Sequence, residues 1–498
     1  MKHVLLVVLA GACLGACGRT PQPVRPAGSA VWLGSESTPP SVGELARLEA
    51  VGAGELFVEV GRLQWSGGVP KLVPTPVRAV GRRTPGVLVI HGPWAPLPGE
   101  GVDLSVLLPR VEAMRRRAEG ARVFATGIHF DLEVAPAAVA GYGDALRELR
   151  DALDDQLTLS VSVSLELMTA EDLPRLARAT DFLVPFCYGE RPERLQREAA
   201  DAWDLRAVHQ ALRRFEELGE PYLLGVVTLG GLLREASDGA LVEITTEGRL
   251  EELVWDRGLR LLPGFALAPV DRQTYTFVVE EPVRLAGGAV PRGQRLRVVG
   301  LSARHVEALR EQLESWQLEH LLGAVYYRLP GAGEALALAA PALVAALTAQ
   351  PALPSPRVEV ETAGESGGPP RMRVRLLNDS PVGSELAFVD HNWIELHADG
   401  GSFGEVAVGD FYRYELYRRQ PGGELIRTLR QPDVLRLYAP YLAPAARLAS
   451  GEIELLSGRV RAPELTARSN FLAPLGQEVE RGPTAVRAAA PLQPAADG

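Results

Sequence analysis

Short β-rich apolar runs alternate with helical segments over much of this sequence. The runs cover residues 30–33, 55–65, 86–91, 123–134, 157–165, 181–188, 222–229 and 323–329. Segments with helical periodicity lie between them, at 102–117, 142–154, 170–179, 205–218 and 303–318. This alternation is typical of parallel strands that are joined by helical crossovers. Eight such units predict an α/β fold, a (β/α)8 TIM barrel.

An open, doubly wound sheet is the alternative arrangement of the same elements. It is disfavoured because no glycine-rich phosphate-binding loop follows any of the runs. Residues 230–300 are too long for one strand–helix unit, and they contain strand-like segments at 274–285 and 294–299. We therefore expect a hairpin-bearing insertion before the eighth strand, on the side of the barrel where active sites form.

A proline-rich linker at 350–357 separates the predicted barrel, residues 30–349, from a region of short strands only. Candidate strands lie at 358–361, 372–377, 385–388, 394–397, 411–418, 425–429 and 452–456. Their number and spacing predict a small β-sandwich over residues 358–461. Residues 462–498 are rich in Pro and Ala, which predicts a largely disordered tail.

The first residues have the layout of an export signal. A positive start precedes an apolar run at 4–12, and Leu14-Gly15-Ala16-Cys17 resembles the bacterial lipobox. The resemblance implies cleavage before Cys17, acylation of Cys17 and a lipid anchor in the cell envelope. Residues 18–29 would then form a flexible tether. Gly18, in place of the Asp that retains some lipoproteins, favours the outer over the inner membrane. An ordinary signal peptide is the alternative.

Charge and cysteine content exclude several classes of protein. The formal net charge is −10, and no long Lys/Arg run occurs, so nucleic acid is not an expected partner. Two of the three cysteines lie in the first 17 residues, which rules out a disulfide framework. No cofactor is predicted.

Residues 126–133 carry the most informative pattern. Ile128, Phe130 and Leu132 alternate with His129, Asp131 and Glu133. In a barrel strand the polar set would face the lumen, with Glu133 nearest the carboxyl end. Buried carboxylates are costly unless they are paired, and the charge of Asp131 would favour a protonated Glu133, the form a general acid needs. A structural hydrogen-bond network is the other interpretation.

This run resembles the fourth-strand signature of chitinase-like glycoside hydrolases, which are retaining enzymes. The resemblance implies that Glu133 protonates the glycosidic oxygen and that Asp131 orients the acetamide of the substrate. The two earlier Asp positions of the family fall on Thr126 and His129 here. Residues 181–188 resemble the sixth strand of that family, whose final Tyr contacts the reacting group, so Tyr188 is the third predicted catalytic residue.

The overall layout also resembles an uncharacterised family of bacterial secreted barrels. The resemblance rests on Val31-Trp32, on residues 130–133 and on Tyr327-Arg328-Leu329-Pro330, and it covers residues 30–345. It implies the barrel fold and a distant kinship with glycosidases.

Several further side chains are predicted to bind substrate. Aromatic rings at strand ends are suited to stacking on sugars. The candidates are Trp32, Trp65, Trp94, Tyr326, Glu59, His129 and Arg328. Glu59 lies mid-strand and is expected to point inward beside Asp131, or to pair with Arg62 or Arg328.

The leading hypothesis is an exported, envelope-anchored protein that hydrolyses or recognises a polysaccharide. The alternative is a catalytically inactive barrel that binds a glycan or a protein, and a third class is a structural envelope component whose β-sandwich binds a protein partner. A metal site at His91, His129, Asp131 and Glu133 lacks a recognisable ligand motif. Cys187 lies within an apolar strand and is expected to be inert.

We predict that Cys17→Ser releases the protein from the membrane fraction, because the substitution removes the thiol that carries the lipid anchor. Fractionation of cells that express the wild-type or the variant chain measures this. A variant that stays bound to the membrane contradicts the lipoprotein hypothesis.

Overall fold

The computed structural model describes residues 28–95, 101–188, 204–262, 275–285, 288–299, 303–334, 336–348, 353–363, 370–380, 382–387, 391–457, 464–472, 478–485 and 488–489. Cys17 and most of the predicted tether lie outside these residues.

Parallel strands in the first part of the chain close into a barrel. The strands of residues 28–348 are β1 (Ala30–Leu33), β2 (Glu55–Ser66), β3 (Val69–Pro74), β4 (Thr84–Pro93), β5 (Val123–Glu133), β6 (Thr158–Val163), β7 (Phe182–Tyr188), β8 (Tyr222–Val227), β9 (Gly231–Glu235), β10 (Leu241–Thr245), β11 (Leu259–Leu261), β12 (Tyr275–Val279), β13 (Val283–Leu285), β14 (Gly288–Val290), β15 (Arg295–Val299) and β16 (Leu321–Tyr327). The order β1-β16-β8-β7-β6-β5-β4-β2 closes because β1 pairs with both β16 and β2. This confirms the predicted TIM barrel, and β3 adds an antiparallel hairpin to β2.

Helices follow the strands and cover the outside of the barrel. They are α1 (Val42–Ala50), α2 (Leu108–Gly120), α3 (Val139–Ala152), α4 (Leu173–Arg178), α5 (Leu205–Leu218), α6 (Leu250–Trp255), α7 (Ala303–Ser315) and α8 (Ala340–Thr348), with 3-10 turns at Leu104–Leu107, Pro136–Ala138 and Leu167–Thr169. Local signals set several ends. A capping box of Ser41 and Glu44 begins α1, and Gly219 in the left-handed conformation ends α5.

Side chains alternate between two apolar layers, as a barrel strand requires. On β5, Ile128, Phe130 and Leu132 pack in the layer between strands and helices. A second cluster fills the lumen and includes Trp32 and Phe57. The predicted outward direction of the apolar set on β5 is therefore confirmed, and its polar set faces inward.

The insertion between β8 and α7 is larger than one hairpin. It contains a sheet in the order β10-β9-β15-β12-β11, a separate β13–β14 hairpin and helix α6. The single strand predicted at 274–285 is wrong, because β12 ends at Val279. The N–H groups of Glu280 and Glu281 both donate to the carbonyl of Gly258, and Pro282 has no N–H to continue a ladder.

Two antiparallel sheets form the C-terminal β-sandwich. The strands are β17 (Pro356–Ala363), β18 (Arg371–Asn378), β19 (Trp393–Asp399), β20 (Gly401–Val406), β21 (Arg413–Arg419), β22 (Leu425–Arg427), β23 (Val434–Tyr438), β24 (Arg447–Ala449), β25 (Ile453–Ser457), β26 (Glu464–Leu472), β27 (Glu478–Ala485) and β28 (Ala488–Ala489). One sheet has the order β20-β25-β18-β17-β28, with β24 on β18, and the other has the order β22-β21-β23-β19-β26-β27. Apolar residues from both sheets share one core, which confirms the predicted sandwich.

Two predictions for this region are wrong. Residues 385–387 are not a strand, since Glu385 and Ala387 donate single backbone bonds to Leu472 and Pro440 instead of joining one ladder. The predicted disordered tail at 462–498 contains β26 and β27. Strand β26 pairs with the central strand β19 and buries Phe471 in the core, and this burial offsets the entropy of ordering the segment.

We predict that Asn392→Ala destabilises the β-sandwich by about 2–4 kcal/mol, since a buried polar group that loses its partner costs about 1–3 kcal/mol. The fully buried Asn392 amide donates to the carbonyls of Glu385 (2.6 Å) and Pro440 (2.8 Å) and accepts from the N–H of Leu472 (2.9 Å). Its φ of 60° also suits Asn better than Ala. Differential scanning calorimetry of the wild-type and variant proteins measures the effect, and an unchanged unfolding transition of the β-sandwich would contradict it.

Candidate functional site

A cavity of about 940 Å³ opens at the carboxyl ends of the barrel strands. Its lining comes from β1, β2, β3, β4, β5, β16 and the segments that follow them: Trp32, Gly34, Ser35, Glu36, Glu59, Arg62, Leu63, Gln64, Val73, Thr75, His91, Gly92, Pro93, Asp131, Glu133, Tyr327 and Arg328. The carboxyl end of a TIM barrel is where catalytic residues from different strands meet. This cavity is therefore the candidate active site.

Strand β5 places both predicted carboxylates in the cavity. Asp131 and Glu133 are two residues apart and share the lumen-facing side of the strand. Asp131 is 7% exposed, whereas Glu133 ends the strand and is exposed. A ligand at the mouth would thus meet Glu133 first and Asp131 below it.

Glu59 and His91 form a hydrogen-bonded pair inside the same cavity. Oε1 of Glu59 lies 2.7 Å from Nε2 of His91, and Oε2 accepts from the N–H of Ser35 at 3.1 Å. Burial opposes the charge of Glu59, but hydrogen bonding and charge from His91, the Ser35 N–H and the charge of Arg328 outweigh it. Together they hold the pKa of Glu59 below its ordinary value. The expected pairing with Arg62 or Arg328 is replaced by a pair with His91.

The wall that follows the end of β16 contains an ion pair. Arg328 makes a bidentate contact with Glu334, with both N–O distances at 2.6 Å, and the N–H of Gly331 donates to Glu334 at 2.7 Å. Burial opposes the charge of Glu334, but these donors outweigh it and lower the pKa of Glu334. Arg328 lines the cavity, and its contact with Glu334 holds the guanidinium in place; its role in binding substrate stays a prediction.

Aromatic rings and a satisfied histidine form the floor of the cavity. Trp32 stacks on Phe57 with centroids 5.6 Å apart and meets the Tyr327 ring edge-on at 5.0 Å. His129 lies below with no exposed surface, and its two ring nitrogens are each 2.9 Å from a serine hydroxyl, those of Ser160 and Ser162. His129 is therefore part of the barrel interior and does not line the cavity, contrary to the binding role predicted for it.

Two predicted tyrosines face the helices instead of the lumen. Tyr188 is buried in the layer between strands and helices, where its hydroxyl donates to the carbonyl of His305 at 3.0 Å. Tyr326 lies in the same layer. A register shift in the β7–β8 pairing, between Phe186 and Tyr188, accompanies this placement of Tyr188. Contact with a substrate does not fit either position.

Trp65 and Trp94 pack beside the cavity without lining it. Their rings meet edge-on at 5.4 Å, Trp94 also packs on Tyr142 at 4.8 Å, and the Trp65 indole N–H donates to the carbonyl of Pro93 at 2.9 Å. They brace the ends of β2 and β4. Of the three predicted stacking tryptophans, Trp32 alone lines this cavity.

Sequence reasoning missed several lining residues. Tyr327 is the neighbour of the predicted Tyr326, and strict alternation along β16 would have chosen it, since Val325 and Tyr327 share the lumen cluster. His91 was considered only as a metal ligand. Arg62 was considered only as a partner of Glu59, and Ser35 has no signal in the sequence because it contributes a backbone N–H.

The described residues offer little support for the other chemistries considered. They contain no group of three or more His, Cys, Asp and Glu side chains that could hold a metal ion. Burial raises the pKa of Cys187 to about 12, so its thiol is a poor nucleophile. In the same part of the chain, no helix has the length and apolar character needed to cross a membrane.

No protein-family model and no curated protein sequence match this chain. Among solved structures it is similar to the spore cortex-lytic enzyme SleL of Bacillus cereus, with 16% identity, a TM-score of 0.41 and coverage of 65% of this chain and 74% of that chain. It is also similar to a glycoside hydrolase family 18 N-acetylglucosaminidase of Paenibacillus barengoltzii (12% identity, TM-score 0.38, 64% and 99%) and to a chitinase of the same family from Flavobacterium johnsoniae (12%, 0.35, 65% and 94%). Likeness at this level assigns no function.

We predict that Glu59 stabilises the barrel at neutral pH and loses this effect in acid. A carboxyl whose pKa is lowered by folding contributes stability above its ordinary pKa, near 4.5, and loses it as the pH falls through the folded value. The difference in thermal midpoint between wild type and Glu59→Gln should thus be largest near pH 7 and shrink below pH 4.5. A difference in thermal midpoint that grows as the pH falls would contradict a stabilising contact between Glu59 and His91.

Proposed function

We propose that this protein binds a polysaccharide chain at the carboxyl mouth of its barrel and hydrolyses it, with Glu133 as the proton donor. Asp131 positions the reacting sugar and stabilises the positive charge that develops on it. The observation that carries the proposal is the placement of these two carboxylates, side by side on one strand, in one open cavity of about 940 Å³.

The chemistry of the cavity wall suits a sugar. Pyranose rings present apolar faces that pack on aromatic rings and hydroxyl edges that bind charged and polar groups. Trp32 and Tyr327 supply rings, while Glu59, Arg62 and Arg328 supply polar groups around them. An open cavity with this lining has no use in a purely structural envelope component, which disfavours that third class.

A second candidate function, glycan binding without catalysis, is favoured by the position of Tyr188. The hydroxyl that the family resemblance assigns to the reacting group bonds to the carbonyl of His305 instead. Thr126 stands at one earlier Asp position and donates to Glu55 at 2.6 Å, near the amino ends of the strands. The assay below separates the two functions.

We further propose that the protein acts in the cell envelope, where a lipid on Cys17 anchors it to the outer membrane. Residues 18–29 would let the barrel reach a glycan from the membrane surface. The β-sandwich is the proposed contact for an envelope protein partner.

We predict that Glu133→Gln lowers the rate of glycan cleavage about 10²–10⁴-fold, the usual contribution of a general acid. Release of reducing ends from chitin, peptidoglycan and exopolysaccharide measures the rate. The amide keeps the size of the side chain but has no acidic proton to transfer to the leaving oxygen, so binding of the glycan should remain.

Glu148→Gln is the matched control, since Glu148 is an exposed carboxylate on the outward side of α3. It should cleave like the wild type. If the wild type releases no reducing ends but binds one of the three glycans, the second candidate function is correct. Equal rates for Glu133→Gln and the wild type would refute the role of Glu133.

A further inference from the structure

The cavity that holds Glu133 also holds an imidazole whose orientation is fixed by a carboxylate. Nε2 of His91 lies 2.7 Å from Oε1 of Glu59. A nitrogen lone pair would be repelled by a carboxylate oxygen at this distance, so Nε2 carries the proton. In neutral imidazole the lone pair is then on Nδ1, which can accept a proton. His91 lines the cavity with 24% of its side chain exposed.

The carboxylate is itself held in place and charged. Oε2 of Glu59 accepts from the N–H of Ser35, in the segment after β1, so each of its oxygens has one partner. The same segment is hydrogen-bonded to the residues after β16, since the hydroxyl of Ser37 donates to the carbonyl of Leu329 at 2.6 Å. This is the arrangement by which a carboxylate sets the tautomer of a catalytic histidine.

The imidazole and Glu133 lie on neighbouring strands. In the β4–β5 pairing, His91 is opposite Asp131 and Pro93 is opposite Glu133. His91 is therefore one strand away from Glu133, about 4.8 Å sideways, and two residues deeper in the barrel. A sugar bound in the cavity would have the exposed acid on β5 and the imidazole on β4.

We propose that His91, positioned by Glu59, is the base that activates the hydrolytic water; this rests on the proposed function. The water oxygen bonds to the anomeric carbon as the bond from that carbon to the glycosidic oxygen breaks. Nδ1 takes the proton of the water, and Glu133 gives its proton to the leaving oxygen. Exchange with solvent then returns both groups to their starting states. Attack by water in a single displacement inverts the anomeric configuration.

This reaction fits the groups present better than the retaining mechanism of the resembled family. For a retaining reaction, Asp131 lines the cavity as the group that would orient the acetamide. The Tyr188 hydroxyl that would contact the reacting group bonds to the carbonyl of His305 instead, and Thr126 and His129 stand where the family has Asp. The pair that would activate water is complete, and both of its members line the cavity.

Several charged groups line the cavity together with the imidazole. They lie on β2, on β5 and in the segments after β1 and β16: Glu59, Arg62, Asp131, Glu133, Arg328 and Glu36. Of these, the structure brings Glu59 within hydrogen-bond distance of His91.

The test compares His91→Gln and Glu59→Gln with the wild-type full-length protein on chitin, peptidoglycan and exopolysaccharide. His91→Gln should lower kcat about 10²–10⁴-fold with little change in KM, and should remove the acidic limb of the rate profile, where the rate rises as the base loses its proton. Glu59→Gln should lower kcat less than His91→Gln, again with little change in KM, because the imidazole remains but is no longer held in one tautomer by a carboxylate.

His320→Gln is the matched control. His320 also pairs with a glutamate, Glu216, at 3.1 Å, but it precedes β16 at the opposite end of the barrel. It should leave kcat and the acidic limb unchanged, which separates loss of a base from loss of a His–Glu pair in general.

Proton NMR of the first product gives the stereochemistry, and inversion is expected. A retained configuration, or an acidic limb that survives in His91→Gln, overturns the role of His91. The proposed function still stands in that case if Glu133→Gln is inactive. A wild type that cleaves none of the three glycans overturns both.

Discussion

Closure of the parallel sheet is the constraint on which the rest of this structure depends. Strand β1 has four residues, yet Ala30 and Val31 pair with β16 on one side and with β2 on the other. A closed sheet has no free edge, so each strand must direct alternate side chains into the lumen. The floor is therefore apolar, with Trp32 and Phe57 in contact, and polar groups collect where the lumen meets solvent.

The barrel could be predicted from the sequence because its strands are short, apolar and regularly separated by helical segments. The hairpin of β2 and β3, the five-stranded sheet within the predicted insertion and strands β26 and β27 could not. Strand β26 is stabilised by pairing with β19, which lies far away in the sequence, and local composition does not reveal such a partner. The alternation of side chains along a strand predicts which residues face the lumen only while the register is regular. The register shift between Phe186 and Tyr188 in the β7–β8 pairing accompanies the placement of the Tyr188 ring in the layer next to the helices.

The two carboxylates of the candidate site could be predicted from the sequence, since Asp131 and Glu133 lie on one face of one strand. The contact between His91 and Glu59 could not. The pair of His91 and Glu59 joins two strands, and the Ser35 N–H that completes it comes from a third segment. His129 was expected to bind ligand because it shares one face of β5 with two carboxylates. Its ring nitrogens instead bond to the hydroxyls of Ser160 and Ser162.

The central claim is that a glycan occupies the mouth of the barrel with its scissile bond at Glu133. A crystal structure of Glu133→Gln grown with a chitin hexasaccharide, or with fragments of peptidoglycan, tests this most directly. The account predicts a sugar ring over Trp32 and a glycosidic oxygen within hydrogen-bond distance of the residue 133 side chain. Sugar bound only on the β-sandwich, with the cavity free of it, would contradict the account.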